Sequence, residues 1–140
     1  MRQFVKVLHT AAIRTTGGRE QGASRSPDGV LDIRFAVSGS WRTGTTPEHL
    51  LAAAWSASFE SALGLVVRAR GIYLPANFVV EAEVDLCEED GGSLFFRVRL
   101  NVSLPRVARN LARAIVDEAQ LVCTYSRAMG ENTDVAIGLV

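Results

Sequence analysis

Residues 45–71 read TTPEHLLAAAWSASFESALGLVVRARG, and this stretch decides the fold. The threonines at its start can cap a helix, Pro47 suits a first turn, and Glu48 lies near the positive end of the helix dipole. Apolar residues then recur nearly all round the helix until about Arg70-Gly71. The stretch therefore predicts a helix that is enclosed on most sides. Because Glu60 interrupts the apolar run, it falls short of the roughly 20 apolar residues of a membrane span.

Strand patterns lie on both sides of this helix. Residues 5–13 predict a first strand, and residues 31–37 alternate between apolar and polar side chains as a half-buried strand does. Asp28-Gly29, just before the second of these, is typical of a turn. Residues 135–140 predict a last strand that closes the chain.

A hairpin is predicted after the long helix. Two alternating stretches, residues 78–86 and 94–104, flank a turn signal at Asp90-Gly91. Pairing them about this turn sets opposite charges across from each other on the solvent face, and each such pair contributes about 0.2–1 kcal/mol. The expected pairs are Glu83 with Arg97 and Glu81 with Arg99.

A second helix is predicted between the hairpin and the last strand, starting after Pro105 and ending at about Val122. Its expected apolar face holds Val107, Leu111, Ala114, Ile115, Glu118 and Leu121. The order of elements predicts an α+β fold in which antiparallel sheet wraps two helices. A chain of 140 residues should form one domain, residues 1–140, yet has difficulty covering a helix that is apolar all round, so we expect a homodimer.

Composition excludes several classes of protein. Fifteen basic and fifteen acidic side chains give no net charge, which argues against a nucleic-acid partner. The cysteines, Cys87 and Cys123, are too few for a disulfide scaffold, and no Cys/His cluster offers zinc ligands, so we expect no metal. The first residues lack the apolar run of a signal peptide, which favours the cytoplasm without membrane attachment.

Four segments, in order along the chain, resemble the OsmC/Ohr family, and most closely its organic hydroperoxide resistance branch. They are GGR at 17–19, DGVLD at 28–32, TPEHLLAAAWSASF at 46–59 and VCTYSRA at 122–128. The resemblance implies an intertwined homodimer with the first helix at its centre. It also implies two-cysteine reduction of organic hydroperoxides at the subunit interface, with a dithiol such as a lipoyl group as reductant and no cofactor.

The same resemblance assigns roles to four residues. Family members carry a peroxidatic cysteine in the middle of the buried helix, within Ala-Cys-Phe, where this chain has Ala57-Ser58-Phe59. The resolving cysteine corresponds to Cys123, the arginine that assists the thiolate to Arg19, and its acidic partner to Glu48. Taken singly, each of these would be an ordinary residue for its position. Cys87, which precedes three acidic residues, is expected to be structural.

Serine at position 58 cannot perform the family's reaction. Peroxide reduction needs a thiolate that attacks the O–O bond and becomes a sulfenic acid, whereas a serine hydroxyl is barely ionised at neutral pH. A hydrolase role for Ser58 is also disfavoured, because Ser58 lacks a GxSxG elbow and His49 points to the opposite side of the helix, so the two form no pair within one chain. Three functions stay open: a defence protein disabled at Ser58, a binding protein for small hydrophobic or lipid-like ligands, and a one-cysteine redox protein that uses Cys123.

Further expectations concern the surroundings of position 58. Glu48 lies ten positions away along the helix, a rise of about 15 Å, so an ion pair of Arg19 and Glu48 beside Ser58 needs the assembled dimer. Trp41, Trp55, Phe59 and Phe78 could line an apolar pocket, but core packing explains these aromatic residues equally well. Ser58 could be natural or an engineered Cys→Ser change that traps an unreacted peroxidase. Thr124 in place of a family proline, and the departure of residues 128–132 from the family's Ala-x-x-Gly-Asn, favour a natural lineage released from peroxidase chemistry.

Overall fold

The computed structural model describes residues 4–140, which divide into two compact units, one ending at Pro47 and the other spanning Glu48–Val140. Residues 1–3, part of the segment in which no signal peptide is expected, lie outside the described residues. The first unit holds a three-stranded antiparallel sheet in the order β1-β2-β3. Its elements are β1 (Arg14–Thr16), α1 (Gly18–Gln21), β2 (Ala23–Arg25) and β3 (Asp32–Arg34).

Two strand predictions in this unit need correction. Residues 5–13 form no strand and are exposed throughout; the first strand begins at Arg14. An alternating pattern becomes a strand only where another strand supplies backbone hydrogen bonds, and the described part of this chain pairs none with residues 5–13. The strand predicted over 31–37 is reduced to β3, with Phe35 in an isolated bridge to Thr45.

The turn before β3 is confirmed. Gly29 has a φ of 75°, and its N–H donates to the Ser26 carbonyl. The Ser26 hydroxyl and the Val30 N–H both donate to the Asp28 carboxylate and lower the pKa of that group. These contacts close the loop that leads into β3.

The second unit contains the long helix, α2 (Pro47–Ala69), with the predicted bounds. It ends where Gly71 adopts a φ of 69° and the Ile72 N–H donates to the Val67 carbonyl, so the last turn is capped by the chain that follows. By length and composition alone α2 could cross a membrane. The expectation that Glu60 leaves this stretch short of a span therefore fails on length and composition. Of the span, 33% is buried, and Trp55, Phe59 and Leu63 lie in the hydrophobic core of the second unit.

The predicted hairpin is present, but its register is shifted by two residues. Strands β4 (Val79–Glu88) and β5 (Leu94–Ser103) pair antiparallel, with Glu83 opposite Arg99 and Asp85 opposite Arg97. The expected pairs, Glu83 with Arg97 and Glu81 with Arg99, are therefore wrong. A five-residue loop, in which Gly91 and Gly92 both have positive φ, replaces the tighter turn, and a shift of two keeps every side chain on its predicted face.

The rest of the unit completes the sheet and covers it. Helices α3 (Arg109–Val122) and α4 (Thr124–Met129) lead to β6 (Asp134–Leu139), which pairs parallel with β5. The parallel pair is possible because the long connection through two helices returns the chain to the same end of the sheet. The α4 helix was not predicted from the sequence.

The predicted face of α3 is only partly right. Ile115 is buried, but Leu121 is 72% exposed, and Glu118 is exposed in an ion pair with Arg70. The helix begins late because a turn with Arg106 at φ 67° precedes it. Its buried side is formed by Ala112, Ile115, Val116 and Ala119. The small Ala112 and Ala119 therefore face the core, whereas Leu121, which the pattern placed on the apolar face, does not.

One hydrophobic core lies within the second unit. Alternate residues of β5 supply its sheet side, Val98, Leu100 and Val102, each at most 1% exposed. The buried faces of α2 and α3 complete the cluster, which extends to Cys123. The core therefore reaches Cys123, one of the four candidate site residues.

We expect Asp85→Asn to lower stability at neutral pH. Two Arg99 nitrogens donate to the two Asp85 oxygens at 2.7 and 2.9 Å and lower the pKa of this carboxyl. A lowered pKa stabilises the folded protein above the ordinary value of 3.8, and the contribution is lost as the pH falls through the folded-state pKa. The urea midpoints of wild type and variant should therefore differ at pH 7 and converge in acid.

Glu81→Gln is the matched control. Glu81 lies on β4, as Asp85 does, but its partner across the sheet is the uncharged Asn101 of β5. The midpoint of Glu81→Gln should follow that of wild type at each pH. Equal effects of the two substitutions would contradict a specific role for the Arg99–Asp85 pair.

Candidate functional site

Ser58 lies in the middle of α2, half-buried beside the fully buried Phe59. Its position on the helix places it next to Trp55, three residues earlier, because residues three apart are neighbours on a helix surface. Both side chains approach the segment that joins α3 to α4. The helix that carries the core thus also carries the candidate site.

Cys123 lies at the junction of α3 and α4. Its backbone is extended, with φ −65° and ψ 123°; its N–H donates to the Ala119 carbonyl and its carbonyl accepts from the Arg127 N–H. The residue is 1% exposed, so both its backbone and its side chain are held inside the protein. Its Sγ lies 3.5 Å from the Ser58 Oγ. The structure therefore brings together the residues at the expected peroxidatic and resolving positions.

A second contact joins the same two segments. The Trp55 indole N–H donates to the Ser126 hydroxyl at 3.1 Å, and both residues are buried. The Trp55 and Tyr125 rings lie 6.1 Å apart between centroids, tilted by 34°. Trp55 precedes Ser58 by three residues, and Ser126 follows Cys123 by three. The two contacts therefore join segments of the chain that run in opposite directions.

The backbone at Thr124, where the family resemblance implies proline, has a form that proline also adopts. Thr124 is the first residue of α4, and no backbone acceptor within the described range 4–140 takes its N–H. Proline favours such a first helical position and an extended preceding residue, which is the conformation of Cys123. The backbone around the thiol thus has a form that accepts either residue.

The other two expected site residues belong to different units. Glu48 is 8% exposed in the first turn of α2, where the helix dipole favours a negative charge. Arg19 lies in the short α1 of the first unit. Their ion pair beside position 58 stays a prediction.

The aromatic pocket is only partly as expected. Phe78 lines a largely apolar cleft of about 540 Å³ with Val67, Ile72 and Leu74 at the end of α2. Trp55 and Phe59, in contrast, are 0% exposed and belong to the core, and Trp41 in the first unit is 95% exposed. Trp55 and Phe59 therefore follow the core-packing alternative, and of the four aromatics Phe78 lines the cleft.

Two further features concern metals and thiols. In the described part of the chain, no group of three or more His, Cys, Asp or Glu side chains could hold a metal ion. Cys87 lies on β4, is half-buried, and pairs in register with Phe95. It is therefore separate in the sheet from the Ser58–Cys123 contact.

Sequence reasoning missed the contribution of Trp55 and Ser126. Both lie within the motifs at 46–59 and 122–128, and each is three positions from a site residue. The equal spacing of three residues could have indicated the Trp55–Ser126 contact. It does so only once the two segments are known to face each other.

The fold and the facing pair on α2 and the α3–α4 junction define a class of protein, the OsmC-like proteins. The model of this family matches residues 38–138, and the chain belongs to it. Within the family, the chain is 34% identical to the organic hydroperoxide resistance protein of Xanthomonas axonopodis pv. citri, over 96% of both chains. It is 35% identical to OhrA of Bacillus subtilis, covering 93% of this chain and 94% of that protein.

The solved structures agree. The crystal structure of the organic hydroperoxide resistance protein OhrB of Bacillus subtilis superposes with a TM-score of 0.89 at 33% identity, covering 96% of this chain and 100% of the other. An organic hydroperoxide resistance protein from Legionella pneumophila matches with a TM-score of 0.87 at 32% identity, over 96% and 98% of the chains. The α+β fold is therefore that of the organic hydroperoxide resistance branch.

We expect the two thiols to react at different rates with a thiol reagent such as 5,5′-dithiobis(2-nitrobenzoate). Cys87 is half-buried and should react in the native protein, whereas the buried Cys123 should react only as the protein opens. Stopped-flow absorbance of wild type and Cys87→Ser would assign the phases. A fast native phase that persists in Cys87→Ser would contradict the enclosed position of Cys123.

Proposed function

We propose that this chain is a protein of organic hydroperoxide defence in which the two-cysteine peroxidase reaction is stopped at Ser58. The observation that supports this most is the 3.5 Å separation of Ser58 Oγ and Cys123 Sγ. A disulfide between two such positions would need only a small adjustment, because its sulfur atoms are about 2.05 Å apart. The site thus keeps the arrangement of a peroxidatic and a resolving residue while one sulfur is replaced by oxygen.

The reaction that this arrangement would support has balanced steps. A thiolate at position 58 attacks the terminal oxygen of a hydroperoxide; the O–O bond breaks, the alcohol leaves after taking a proton, and the sulfur becomes a sulfenic acid. The Cys123 thiol then attacks that sulfur, forming a disulfide and releasing water. An external dithiol reduces the disulfide by two electrons and is itself oxidised to a disulfide.

Serine stops this sequence at its first step. Its hydroxyl is a poor nucleophile at neutral pH and cannot form the sulfenic acid that the second step needs. Cys123 is 1% exposed, which does not favour the one-cysteine alternative. The names of the relatives and the contact with Cys123 therefore support the family's role for the site, with the chemistry disabled by one atom.

Ser58→Cys should restore peroxidase turnover. We expect the variant to consume cumene hydroperoxide continuously in the presence of dihydrolipoamide, while wild type stays at the rate without protein. Loss of hydroperoxide is measured by ferrous xylenol orange.

The control combines Ser58→Cys with Cys123→Ser, which should consume about one hydroperoxide per chain and yield a sulfenic acid that dimedone labels. Adding Cys87→Ser to the Ser58→Cys variant should leave its turnover unchanged. A Ser58→Cys variant that folds and is inert towards several organic hydroperoxides would overturn the proposal.

The cleft lined by Phe78 favours a second candidate, a protein that binds a small hydrophobic molecule without turning it over. Its volume of about 540 Å³ and apolar lining are typical of sites for such ligands. The Ser58→Cys experiment separates the candidates, since a protein adapted only to binding gains no turnover. The cytoplasmic location, the absence of nucleic-acid and membrane partners and the single-domain organisation stay predictions.

We also propose that the chain forms a homodimer. Phe4, Val5, Val7 and Leu8 are between 71% and 96% exposed, and the strand pattern of residues 5–13 has no partner strand within the described residues. Leu65 of α2 and Leu121 of α3 are also more than half exposed. A second copy of the chain would cover such surfaces, which are costly to leave in water.

Sedimentation equilibrium should give a mass of twice the 15.1 kDa of one chain at micromolar concentration. The dimer should persist in high salt, because the exposed surfaces that it would cover are apolar rather than charged. A species of 15.1 kDa across that concentration range would contradict the proposal.

A further inference from the structure

The two contacts between α2 and the α3–α4 junction are made by residues of the same two short segments, so movement of either segment affects both contacts. Ser58 meets Cys123, and three residues away on each segment Trp55 meets Ser126. The Arg127 N–H donates to the Cys123 carbonyl and the Gly130 N–H donates to the Ser126 carbonyl. The thiol and the Ser126 hydroxyl therefore belong to one hydrogen-bonded turn.

The Trp55–Ser126 bond is the more strongly held of the two contacts. Trp55 is 0% exposed, and its ring is fixed in the core and against Tyr125. Its single N–H has the Ser126 hydroxyl as acceptor, and a buried donor that is left without a partner is unfavourable. By comparison, the Ser58–Cys123 contact at 3.5 Å is a weak hydrogen bond to sulfur.

We infer that Trp55 and Ser126 are positioning residues, whose hydrogen bond holds Cys123 at reaction distance from position 58. The inference rests on the proposed function, since it concerns the step in which the two positions become joined. Their hydrogen bond joins the indole nitrogen to the Ser126 hydroxyl and involves neither the Ser58 oxygen nor the Cys123 sulfur. Their effect is to limit how far the turn that carries the thiol can move from α2.

The experiment measures how readily the two positions form a disulfide, with no hydroperoxide present. In a Ser58→Cys, Cys87→Ser background, the protein is equilibrated with mixtures of reduced and oxidised dithiothreitol, and the fraction of intramolecular disulfide is determined by mass spectrometry. The dithiothreitol ratio at half-oxidation reports the effective concentration of the two thiols.

Adding Ser126→Ala should lower this effective concentration roughly three- to tenfold, as expected for the loss of one buried hydrogen bond. Trp55→Phe, which keeps a ring but removes the N–H, should give a similar decrease. The two substitutions together should cost little more than either alone, because they remove the same bond. Ser126→Thr, which keeps the hydroxyl, should restore most of the background value.

Ser56→Ala is the matched control. The Ser56 hydroxyl donates only to carbonyls of its own helix, Ala52 and Ala53, so its loss should leave the disulfide equilibrium unchanged. An unchanged equilibrium in both Ser126→Ala and Trp55→Phe would overturn the inference. So would an equal decrease in Ser56→Ala, since that would reflect general loosening of α2.

The test is independent of peroxidase activity. If Ser58→Cys fails to turn over hydroperoxide while Ser126→Ala still shifts the disulfide equilibrium, the proposed function fails and the positioning role stands. If turnover is restored but the equilibrium does not respond, the positioning role alone is wrong. In an active background, Ser126→Ala should also increase dimedone labelling of the sulfenic acid, because only the second step is slowed.

Discussion

The burial of one face of α2 is the constraint on which the second unit depends. Trp55, Phe59 and Leu63 are 0% exposed and pack with β5 and α3, and burying a side chain such as phenylalanine or leucine contributes about 1.5–3 kcal/mol. Because Ser58 lies on the same turns of the helix, this packing also fixes its position. The approach of Ser58 to Cys123 is therefore a consequence of how the core is built rather than of a separate arrangement.

Under the proposed function, this relation lets the fold stay while the peroxidase chemistry is lost. In that proposal, a serine oxygen at position 58 in place of a cysteine sulfur would leave the apolar face of α2 and the turn that carries Cys123 in place. The superposition on OhrB of Bacillus subtilis, with a TM-score of 0.89, shows how closely the chain keeps the family's fold. Reactivity depends on the ionisation and polarisability of one atom, whereas the fold depends on area and shape. Reactivity at position 58 and the fold of the chain can therefore change independently of each other.

Predictions from the sequence were right where the signal is local. The bounds of α2 follow from a proline in its first turn and a glycine after its last, and the hairpin follows from alternation around a glycine turn. The two-residue error in the hairpin register arose because the conformations of Gly91 and Gly92 set the loop length, and alternation is indifferent to a shift of two. The strand predicted over 5–13 failed because pairing needs a partner that sequence pattern does not reveal.

The sequence by itself determined that a long, largely apolar helix carries a hydroxyl at position 58, and that a thiol follows a second helix at position 123; the described residues bury one face of that long helix and leave a stripe of it, including Leu65, exposed. The sequence also supplied the family motifs that relate these positions. Only the tertiary structure decided that the two side chains, 65 residues apart, lie 3.5 Å from each other, and that Trp55 and Ser126 form a second contact beside them. Capping and periodicity act over a few neighbouring residues, whereas these contacts depend on how α2 packs against the α3–α4 junction.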